Sequence, residues 1–355
     1  MTEPLAEGRI QVLRSSALVA GVAVAAFAMF VAGAAGAGAS SLQQPVASGV
    51  TQARVPLAVS IPDSRRLEPS FQQTVASRAA PSSFPVTIVA SNGQVTVAKQ
   101  PRRIVSLSPT ATESLFAIGA GPQVVAVDDQ SDYPKNVPST SLSGFTPNVE
   151  AIADYRPDLV VIAFDPKGLS GALQRLGITV IHHDGARAFK GAYQQIRQLG
   201  LVTGHEAEAN RLIGRMKSKI AGIVTAAQKL GSGLSVYHEL TPDLYSATSR
   251  TFVGQVYTAL GLRNIADEAD AFGTGYPQLS AEYVVSASPD VIVLADTVCC
   301  GQKPSTVAAR PGWDRISAVR TGSIVRIDDS IASRWGPRLV NFFRAMSSAL
   351  ARLRH

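Results

Sequence analysis

The segments "VEAIADYRPDLVVIA" (residues 149–163) and "SAEYVVSASPDVIVLA" (residues 280–295) repeat one pattern within a single chain. In both, a glutamate stands seven residues before a Pro-Asp pair, and an unbroken apolar run follows that pair. The glutamates are Glu150 and Glu282. An apolar run of this kind is typical of a strand that is buried on both faces of a parallel sheet. The repeat therefore predicts two copies of one α/β arrangement.

Short apolar runs alternate with helix-like stretches from residue 102 onward. The runs are RIVSL, QVVAV, DLVVIA and ITVIHH in the first half, and LSVYHEL, DVIVLAD and GSIVRID in the second. Strands that alternate with helices imply a largely parallel sheet with helices on both faces. Residues 115–127 and 256–267 also resemble each other, because in each a helix-like segment ends at a glycine, Gly119 or Gly261.

The pattern changes between residues 205 and 232, where neither a proline nor a strand-like run occurs. Leu212, Met216, Ile220 and Ile223 share one helical face, which predicts a single long helix of about seven turns. The predicted fold class is α/β, with two lobes of parallel sheet joined by this helix and a ligand cleft between the lobes. The predicted bounds are 86–204 for the N-terminal lobe, 205–232 for the connecting helix and 233–355 for the C-terminal lobe.

The N-terminal region has the composition of a targeting segment. Residues 17–39 are uncharged and follow Arg9 and Arg14. They are either a cleaved secretory signal or an uncleaved membrane span, and the Ala and Gly residues of the second half favour cleavage. We therefore expect a signal peptide or membrane anchor over residues 1–40 and a flexible linker over 41–85. In both cases the folded part is extracytoplasmic, and it contacts the membrane only if residues 17–39 remain attached.

Composition narrows the class of protein. The chain has 355 residues, of which 46% are hydrophobic and 17% charged, as expected for a globular protein of about two domains. Its net charge of +7 is scattered along the sequence, so a nucleic-acid partner is not expected. Phosphate-binding and nucleophile-elbow motifs are missing, and residues 106–113, "SLSPTATE", stand where a dinucleotide-binding enzyme needs a glycine-rich turn. We expect no enzyme activity, no catalytic residue, no cofactor and no resident metal.

The segments "PRRIVSLSPTATESLFAIG", "SDYP", "NVEAIADYRPDLVVIA" and "LSAEYVVSASPDVIVLA" resemble the solute-binding proteins of ABC importers that capture vitamin B12, haem or iron-siderophores. The resemblance covers residues 86–353, and "SLSPTATE" and "SDYP" are most similar to the cobalamin-binding branch. It implies two Rossmann-like lobes joined by one rigid helix, and a monomer. It also implies that Glu150 and Glu282 project from the two lobes and dock on arginines of a dimeric permease. The alternative to docking is that each glutamate only interacts favourably with the positive end of its own helix.

The same resemblance implies a cleft with aromatic walls, which would suit a flat corrinoid or porphyrin. The implied ligand-binding residues are Tyr133, Phe145, Tyr245, Tyr276, Arg334 and Trp335. The cobalamin branch has tryptophan in place of Phe145 and Tyr276, so haem and an iron-siderophore remain alternative ligands. A metal-cluster enzyme or chaperone on the same scaffold is a further alternative, but two cysteines are too few for most clusters.

For three other features the sequence allows more than one chemical role. Arg338 follows Arg334 in "SRWGPR" and could contact a ligand or only the protein surface. His182 and His183 end a predicted strand, and either ring could ligate a metal, although a place in the wall is the commoner role. Cys299 and Cys300 are adjacent at the carboxyl end of a predicted strand, and form either a vicinal disulfide or two thiols.

Overall fold

The computed structural model describes residues 83–353. The predicted signal or anchor over 1–40, and the linker over 41–85 except its last three residues, lie outside this range. Among residues 83–353, no helix is both long and apolar enough to cross a membrane. The first described element is an antiparallel hairpin of β1 (Val86–Ala90) and β2 (Gly93–Val97), which the sequence patterns did not predict.

The N-terminal lobe is built on a four-stranded parallel sheet in the order β4-β3-β5-β6. Its strands are β3 (Ile104–Leu107), β4 (Val124–Val127), β5 (Leu159–Ile162) and β6 (Thr179–His182). Each of the four residues of β3 and of β5 is buried, as the unbroken apolar runs predicted. The hairpin docks on this sheet, because the backbone N–H of Ser91 donates to the carbonyl of His182 at 2.8 Å.

The C-terminal lobe has a second four-stranded parallel sheet in the order β10-β9-β7-β8. Its strands are β7 (Ser235–Glu239), β8 (Arg263–Asn264), β9 (Val291–Leu294) and β10 (Ile324–Arg326). In both sheets the first strand of the lobe lies between the second and the third, and the fourth follows the third. The two lobes therefore share one topology, as the repeated sequence pattern predicted.

Helices cover both sheets. Those of the N-terminal lobe are α1 (Pro109–Ala117), α2 (Val149–Ala153), α3 (Leu169–Arg175) and α4 (Phe189–Thr203). The connecting helix is α5 (Glu206–Gly231). Those of the C-terminal lobe are α6 (Phe252–Ala259), α7 (Ala266–Ala269), α8 (Ala281–Ala287), α9 (Pro304–Ala308), α10 (Ser317–Arg320), α11 (Asp329–Ser333) and α12 (Leu339–Leu353).

The predicted long helix is confirmed as α5, which has 26 residues. Leu212, Met216 and Ile220 are buried on one side of it, while Ile223 is partly buried against the same cluster. Helices α4 and α12 pack along this side, one from each lobe. The exact lobe boundaries remain predictions, but α5 joins the two sheets as the two-lobe fold class requires.

The repeated Pro-Asp pair has a structural role that is the same in both lobes. The carboxylate of Asp158 accepts the backbone N–H groups of Arg102 and Arg103 at 2.8 and 3.0 Å, directly before β3. The carboxylate of Asp290 accepts the backbone N–H and the hydroxyl of Ser235, the first residue of β7, at 2.9 and 2.8 Å. Each aspartate therefore holds the two central strands of its sheet together at their amino ends.

One apolar cluster runs through both lobes and α5. At the boundary between the lobes, the ring of Phe189 at the start of α4 meets the rings of Phe252 and Phe343 with centroid distances of 5.3 and 5.6 Å. Edge-to-face rings at such distances stabilise a contact by about 0.5–1.5 kcal/mol beyond the burial of their area. This continuous core limits how far the lobes can move relative to each other.

Candidate ligand cleft and docking surfaces

The carboxyl ends of the strands identify the edge of each sheet at which a ligand is expected. In each lobe the chain leaves the first strand toward one side and the third strand toward the other, which makes a topological switch point. The switch lies between β3 and β5 in one lobe and between β7 and β9 in the other. The loops that leave these edges contain most of the residues that the sequence predicted for the cleft.

A cross-lobe ion-pair cluster, which we call the Glu113 latch, lies beside these edges. Glu113 is on α1 of the N-terminal lobe, and its side chain is only 1% exposed. Its Oε1 is 2.9 Å from Nη1 of Arg334 and 2.6 Å from Nη2 of Arg338. Nε of Arg338 also donates to Oε2 of Glu113 at 3.0 Å. One buried carboxylate of the N-terminal lobe thus holds two arginines of the C-terminal lobe.

The latch also reaches the predicted wall segment "SDYP" (residues 131–134) and Gln130, the residue before it. Arg334 donates to Asp132 at 2.7 Å and to the carbonyl of Gln130 at 2.8 Å. The guanidinium of Arg338 lies over the ring of Tyr133, with its central carbon 4.4 Å from the ring centroid. Tyr133 is nevertheless 45% exposed, so part of its ring is available to a ligand.

Trp335 fills the contact between the lobes next to the latch. Its indole N–H donates to Oε1 of Gln195 on α4 at 2.8 Å, and the residue is only 8% exposed. The ring lies against Gly185, where a Cβ atom would stand 3.5 Å from it. In this arrangement Trp335 and Arg334 contact protein groups of the other lobe, and their contact with a ligand stays a prediction.

The other predicted wall residues lie on the expected loops. Phe145, between β4 and α2, stacks on Phe164 with a centroid distance of 5.2 Å. Tyr245 follows β7 and forms a backbone bridge with Gln278, which brings its loop beside the loop of Tyr276. Burial raises the pKa of Tyr276 to about 12, so this phenol stays neutral. All three side chains are half-buried, and their contact with a ligand remains a prediction.

The two histidines at the end of β6 have protein partners. A ring nitrogen of His183 is 2.9 Å from Oε1 of Gln198, and burial lowers the pKa of His183 to about 4. His183 is therefore a neutral part of the lobe boundary near neutral pH. Nε2 of His182 is 2.9 Å from the carboxylate of Asp184. Within residues 83–353, no group of three or more His, Cys, Asp or Glu side chains is arranged to hold a metal ion.

The segment "SLSPTATE" supplies a buried hydroxyl network at the edge of the N-terminal sheet. The hydroxyl of Thr112 is 2.9 Å from the hydroxyls of both Ser106 and Ser131, and Ser131 donates to Asp128. Burial raises the pKa of Asp128 to about 7. The hydroxyl of Ser108 accepts the backbone N–H of Ala111 and thereby caps α1, the helix that carries Glu113. The motif therefore positions the helix that carries the latch residue Glu113.

A second buried charged group lies at the carboxyl end of β7 and β9. Arg310 donates to both carboxylate oxygens of Glu239, at 2.6 and 2.7 Å, while its guanidinium lies 4.5 Å from the ring centroid of Trp313. Asp296 is fully buried beside this pair, and neither of its carboxylate oxygens has a hydrogen-bond donor among the described residues. Burial, together with the charge of Glu239, raises the pKa of Asp296 to about 8.

The raised pKa of Asp296 predicts that the free energy of unfolding depends on pH and that Asp296→Asn makes this dependence weaker. A carboxyl group whose folded-state pKa is raised stabilises the fold fully below its unfolded pKa, and this contribution is lost as pH rises to about 8. The wild-type free energy of unfolding should therefore fall between about pH 4 and 8, by up to about 1.4 kcal/mol per pH unit from this group. In the variant the fall should be shallower, as measured by urea unfolding across that range. Parallel curves for wild type and variant would contradict the shift, and the exposed Asp243→Asn serves as the control.

Cys299 and Cys300 form a disulfide, which decides between the two states that the sequence left open. They lie in the loop that leaves β9, at the carboxyl edge of the C-terminal sheet. The disulfide ring is therefore at the same edge of the lobe as Tyr245.

Glu150 and Glu282 occupy equivalent positions in the two lobes. Each is the second residue of its helix, α2 or α8, and each is exposed. Asn148 and Ser280 cap these helices by accepting the backbone N–H three residues later, at 2.8 and 3.1 Å. Each cap accepts one of the unpaired backbone N–H groups at the start of its helix, and the glutamate side chain beside it is exposed to solvent.

Sequence patterns did not indicate the partners of Glu113, nor the pair of Glu239 and Arg310. Glu113 offered one signal, because it is an acidic residue within the largely apolar helix-like stretch "ATESLFAIGA". Asp296 offered another, since it directly follows a buried strand. Neither signal indicates which residues lie beside these two carboxylates, because those residues come from distant parts of the chain.

Fold and site together define a two-lobed α/β protein, in which loops from the carboxyl edges of two equivalent sheets meet at the Glu113 latch. Residues 104–331 match the model of the periplasmic binding protein family. The chain therefore belongs to that family.

Individual relatives and structures agree with this assignment. The chain is 32% identical over 292 residues to an uncharacterized ABC transporter substrate-binding lipoprotein, YvrC, of Bacillus subtilis, covering 79% of this chain and 90% of the relative. It is 32% identical over 296 residues to a cobalamin-binding protein of Halobacterium salinarum, covering 79% and 78%. Its fold is similar to that of the periplasmic haem-binding protein RhuT of Roseiflexus sp. RS-1 in its apo form, with a TM-score of 0.63, 25% identity and coverage of 71% and 99%.

Proposed function

We propose that this protein is the extracytoplasmic solute-binding component of an ABC importer and that it captures a corrinoid of the vitamin B12 type. The observation that carries the proposal is the likeness to a cobalamin-binding protein over 79% of the chain. The two-lobe fold supports it, since loops from the carboxyl edges of both sheets meet at the Glu113 latch, and this edge is where a ligand is expected. The protein binds its ligand and does not transform it.

The wall of the cleft fits a large flat ligand. Tyr133 and Tyr245 lie on loops at the carboxyl edges of the two sheets, one in each lobe. Aromatic rings bury much apolar area and lose little side-chain entropy, so they suit the face of a macrocycle. Haem is the second candidate ligand, and the specific observation that favours it is the similar fold of a haem-binding protein. An iron-siderophore would be delivered to the same type of importer.

A ligand titration tests this proposal. Cyanocobalamin, haemin and ferrioxamine are added separately to the purified protein, and binding is followed by equilibrium dialysis and by the fluorescence of its two tryptophans, Trp313 and Trp335. We expect saturable binding of cyanocobalamin to one site. Tyr133→Ala should weaken it about tenfold or more, as is usual for an aromatic anchor in a binding site.

The control for this titration is Leu176→Ala. Leu176 is 58% exposed and lies directly after α3, at the amino edge of the sheet that is opposite to the cleft. Its replacement should leave the affinity unchanged. If haemin alone binds, the second candidate ligand replaces the first. If none of the three chelates binds the wild-type protein, the proposed function is wrong.

We further propose that Glu150 and Glu282 dock the loaded protein on a dimeric permease. Their equivalent places in the two lobes suit a partner with two-fold symmetry. Ion pairs between these two carboxylates and arginines of the permease would give both orientation and affinity. The binding protein acts as a monomer. It works outside the cytoplasm, either free after cleavage of the N-terminal segment or held at the membrane by residues 17–39.

A further inference from the structure

The vicinal disulfide has no place in the function described so far. Its two half-cystines are neighbours in the chain, so the bond closes a small ring that includes the peptide between them. Cys299 is exposed and Cys300 is half-buried, while the preceding Val298 is 71% exposed. Three consecutive residues thus form an apolar surface at a position where polar loop residues are usual.

This surface is held in place by one carboxylate. Asp329 accepts the backbone N–H groups of Thr297, Val298 and Cys299, at 2.9, 3.0 and 2.7 Å. On the other side of the ring, the backbone N–H of Gln302 donates to the carbonyl of Asp296 at 3.2 Å. Both ends of the loop are therefore fixed, and the ring cannot turn away without loss of these hydrogen bonds.

The same carboxylate links the ring to the segment that crosses the lobe boundary. Asp329 is the first residue of α11, and Arg334 follows directly after that helix. Arg334 is the residue that crosses to Glu113 and Asp132 of the N-terminal lobe. The loop of the disulfide is therefore bonded to the segment that closes the boundary between the lobes, and it leaves the strand β9 at the ligand-binding edge of the sheet.

We propose that the Cys299–Cys300 ring and Val298 form an apolar plate on the C-terminal lobe that contacts the flat face of a conjugated macrocycle, a corrin or a porphyrin. This inference rests on the proposed function and adds to it a contact surface that discriminates planar macrocycles from other chelates. The sulfur atoms are polarizable and favour contact with conjugated rings. Since the ring closure has already removed the rotamer freedom of both cysteines, the plate loses little entropy when a ligand covers it.

Opening the ring should weaken binding of a macrocycle about tenfold, because the plate would lose its shape and its side chains would regain rotamer freedom. The test measures equilibrium dialysis of cyanocobalamin and of haemin with the full chain and with Cys299→Ser/Cys300→Ser. Val298→Ser should also weaken binding severalfold. Its matched control is Val89→Ser, which changes a valine of similar exposure, 69%, on the N-terminal hairpin and should have no effect.

A second measurement does not depend on the folding of the double variant. Dithiothreitol reduces the wild-type disulfide by exchange, in which each cysteine gains a hydrogen and the reagent becomes a cyclic disulfide. Because exchange requires access to the sulfur atoms, saturating cyanocobalamin or haemin should slow this reduction about tenfold or more. Reduced wild-type protein should bind both probes as weakly as the double variant, whereas the reductant should not change binding to the double variant.

The outcomes separate this inference from the function on which it rests. If wild-type protein binds a macrocycle, but ring opening changes its affinity less than twofold and the ligand does not slow reduction, the plate is disproved and the proposed function stands. If wild type binds ferrioxamine alone, or none of the chelates, the inference is overturned together with the choice of a macrocyclic ligand. Slower reduction and weaker binding on ring opening together establish the plate.

Discussion

Glu150→Ala combined with Glu282→Ala is expected to abolish import while leaving ligand affinity unchanged. Both carboxylates are exposed, and each stands at the second position of a helix that is already capped by Asn148 or Ser280. Alanine keeps the caps and the helices, so the fold should lose only the favourable interaction with the helix ends, about 0.3–1 kcal/mol for each. The loss of two charged contacts with a permease costs far more, since one such contact is worth about 2–5 kcal/mol when its partner is left unpaired.

The measurement is uptake of radiolabelled cyanocobalamin into proteoliposomes that contain the permease and ATPase of the importer that this protein serves. Uptake should fall at least tenfold in the double variant, and each single variant should fall between it and wild type. Equilibrium dialysis of the same preparations should give equal affinities for the ligand.

A matched control removes the same charge from the same two lobes. Asp154→Ala combined with Glu268→Ala deletes two other exposed carboxylates, one in each lobe. This variant should transport as wild type does, which separates specific docking from a general loss of negative charge. Normal uptake by the variant that lacks Glu150 and Glu282 would contradict the docking proposal.

The fold could be predicted from the sequence because the patterns that indicate its strands and helices are local, and because the same order of patterns occurs in both lobes. Buried strands such as β5 and β9 appear as unbroken apolar runs, and the face of α5 appears as a helical spacing of Leu212, Met216 and Ile220. A shared topology then follows from the shared order of elements. Elements without such a pattern were not predicted, among them the hairpin of β1 and β2 and the two-residue strand β8.

The site could be predicted only in part, because its interactions join distant segments. Sequence patterns placed Tyr133 and Arg334 in plausible loops, but could not show that an arginine 202 positions later pairs with Asp132. They also could not show that Trp335 packs between the lobes. Long-range pairing of charges depends on the tertiary structure, and no periodicity or capping signal along the chain specifies it.

The strongest consequence of such pairing for stability concerns Glu113. Glu113→Gln should lower the free energy of unfolding by about 3–5 kcal/mol, as is typical when one partner of a buried ion pair is removed. The amide would leave Arg334 and Arg338, whose side chains are 12% and 13% exposed, without their buried counter-charge. Urea unfolding followed by circular dichroism measures the loss.

The control for this variant is a carboxylate in the same cluster that faces water. Asp132 pairs with Arg334 at 2.7 Å, but its side chain is 67% exposed, so Asp132→Asn should cost no more than about 1 kcal/mol. A double-mutant cycle of Glu113→Gln with Arg338→Met then isolates the coupling across the lobes, which should exceed about 1 kcal/mol.

The two lobes should also separate when the latch is broken. Glu113 is the only carboxylate in the described residues that is ion-paired with both Arg334 and Arg338, so its loss removes the buried part of the ionic contact. The exposed pair of Asp132 and Arg334, the aromatic contact of Phe189 and the packing of Trp335 remain. Small-angle X-ray scattering should therefore show a larger radius of gyration for Glu113→Gln than for Asp132→Asn. If the free energy of unfolding of Glu113→Gln is instead within about 1 kcal/mol of the wild-type value and the variant keeps its dimensions, the buried ion pairs of Glu113 do not hold the lobes together.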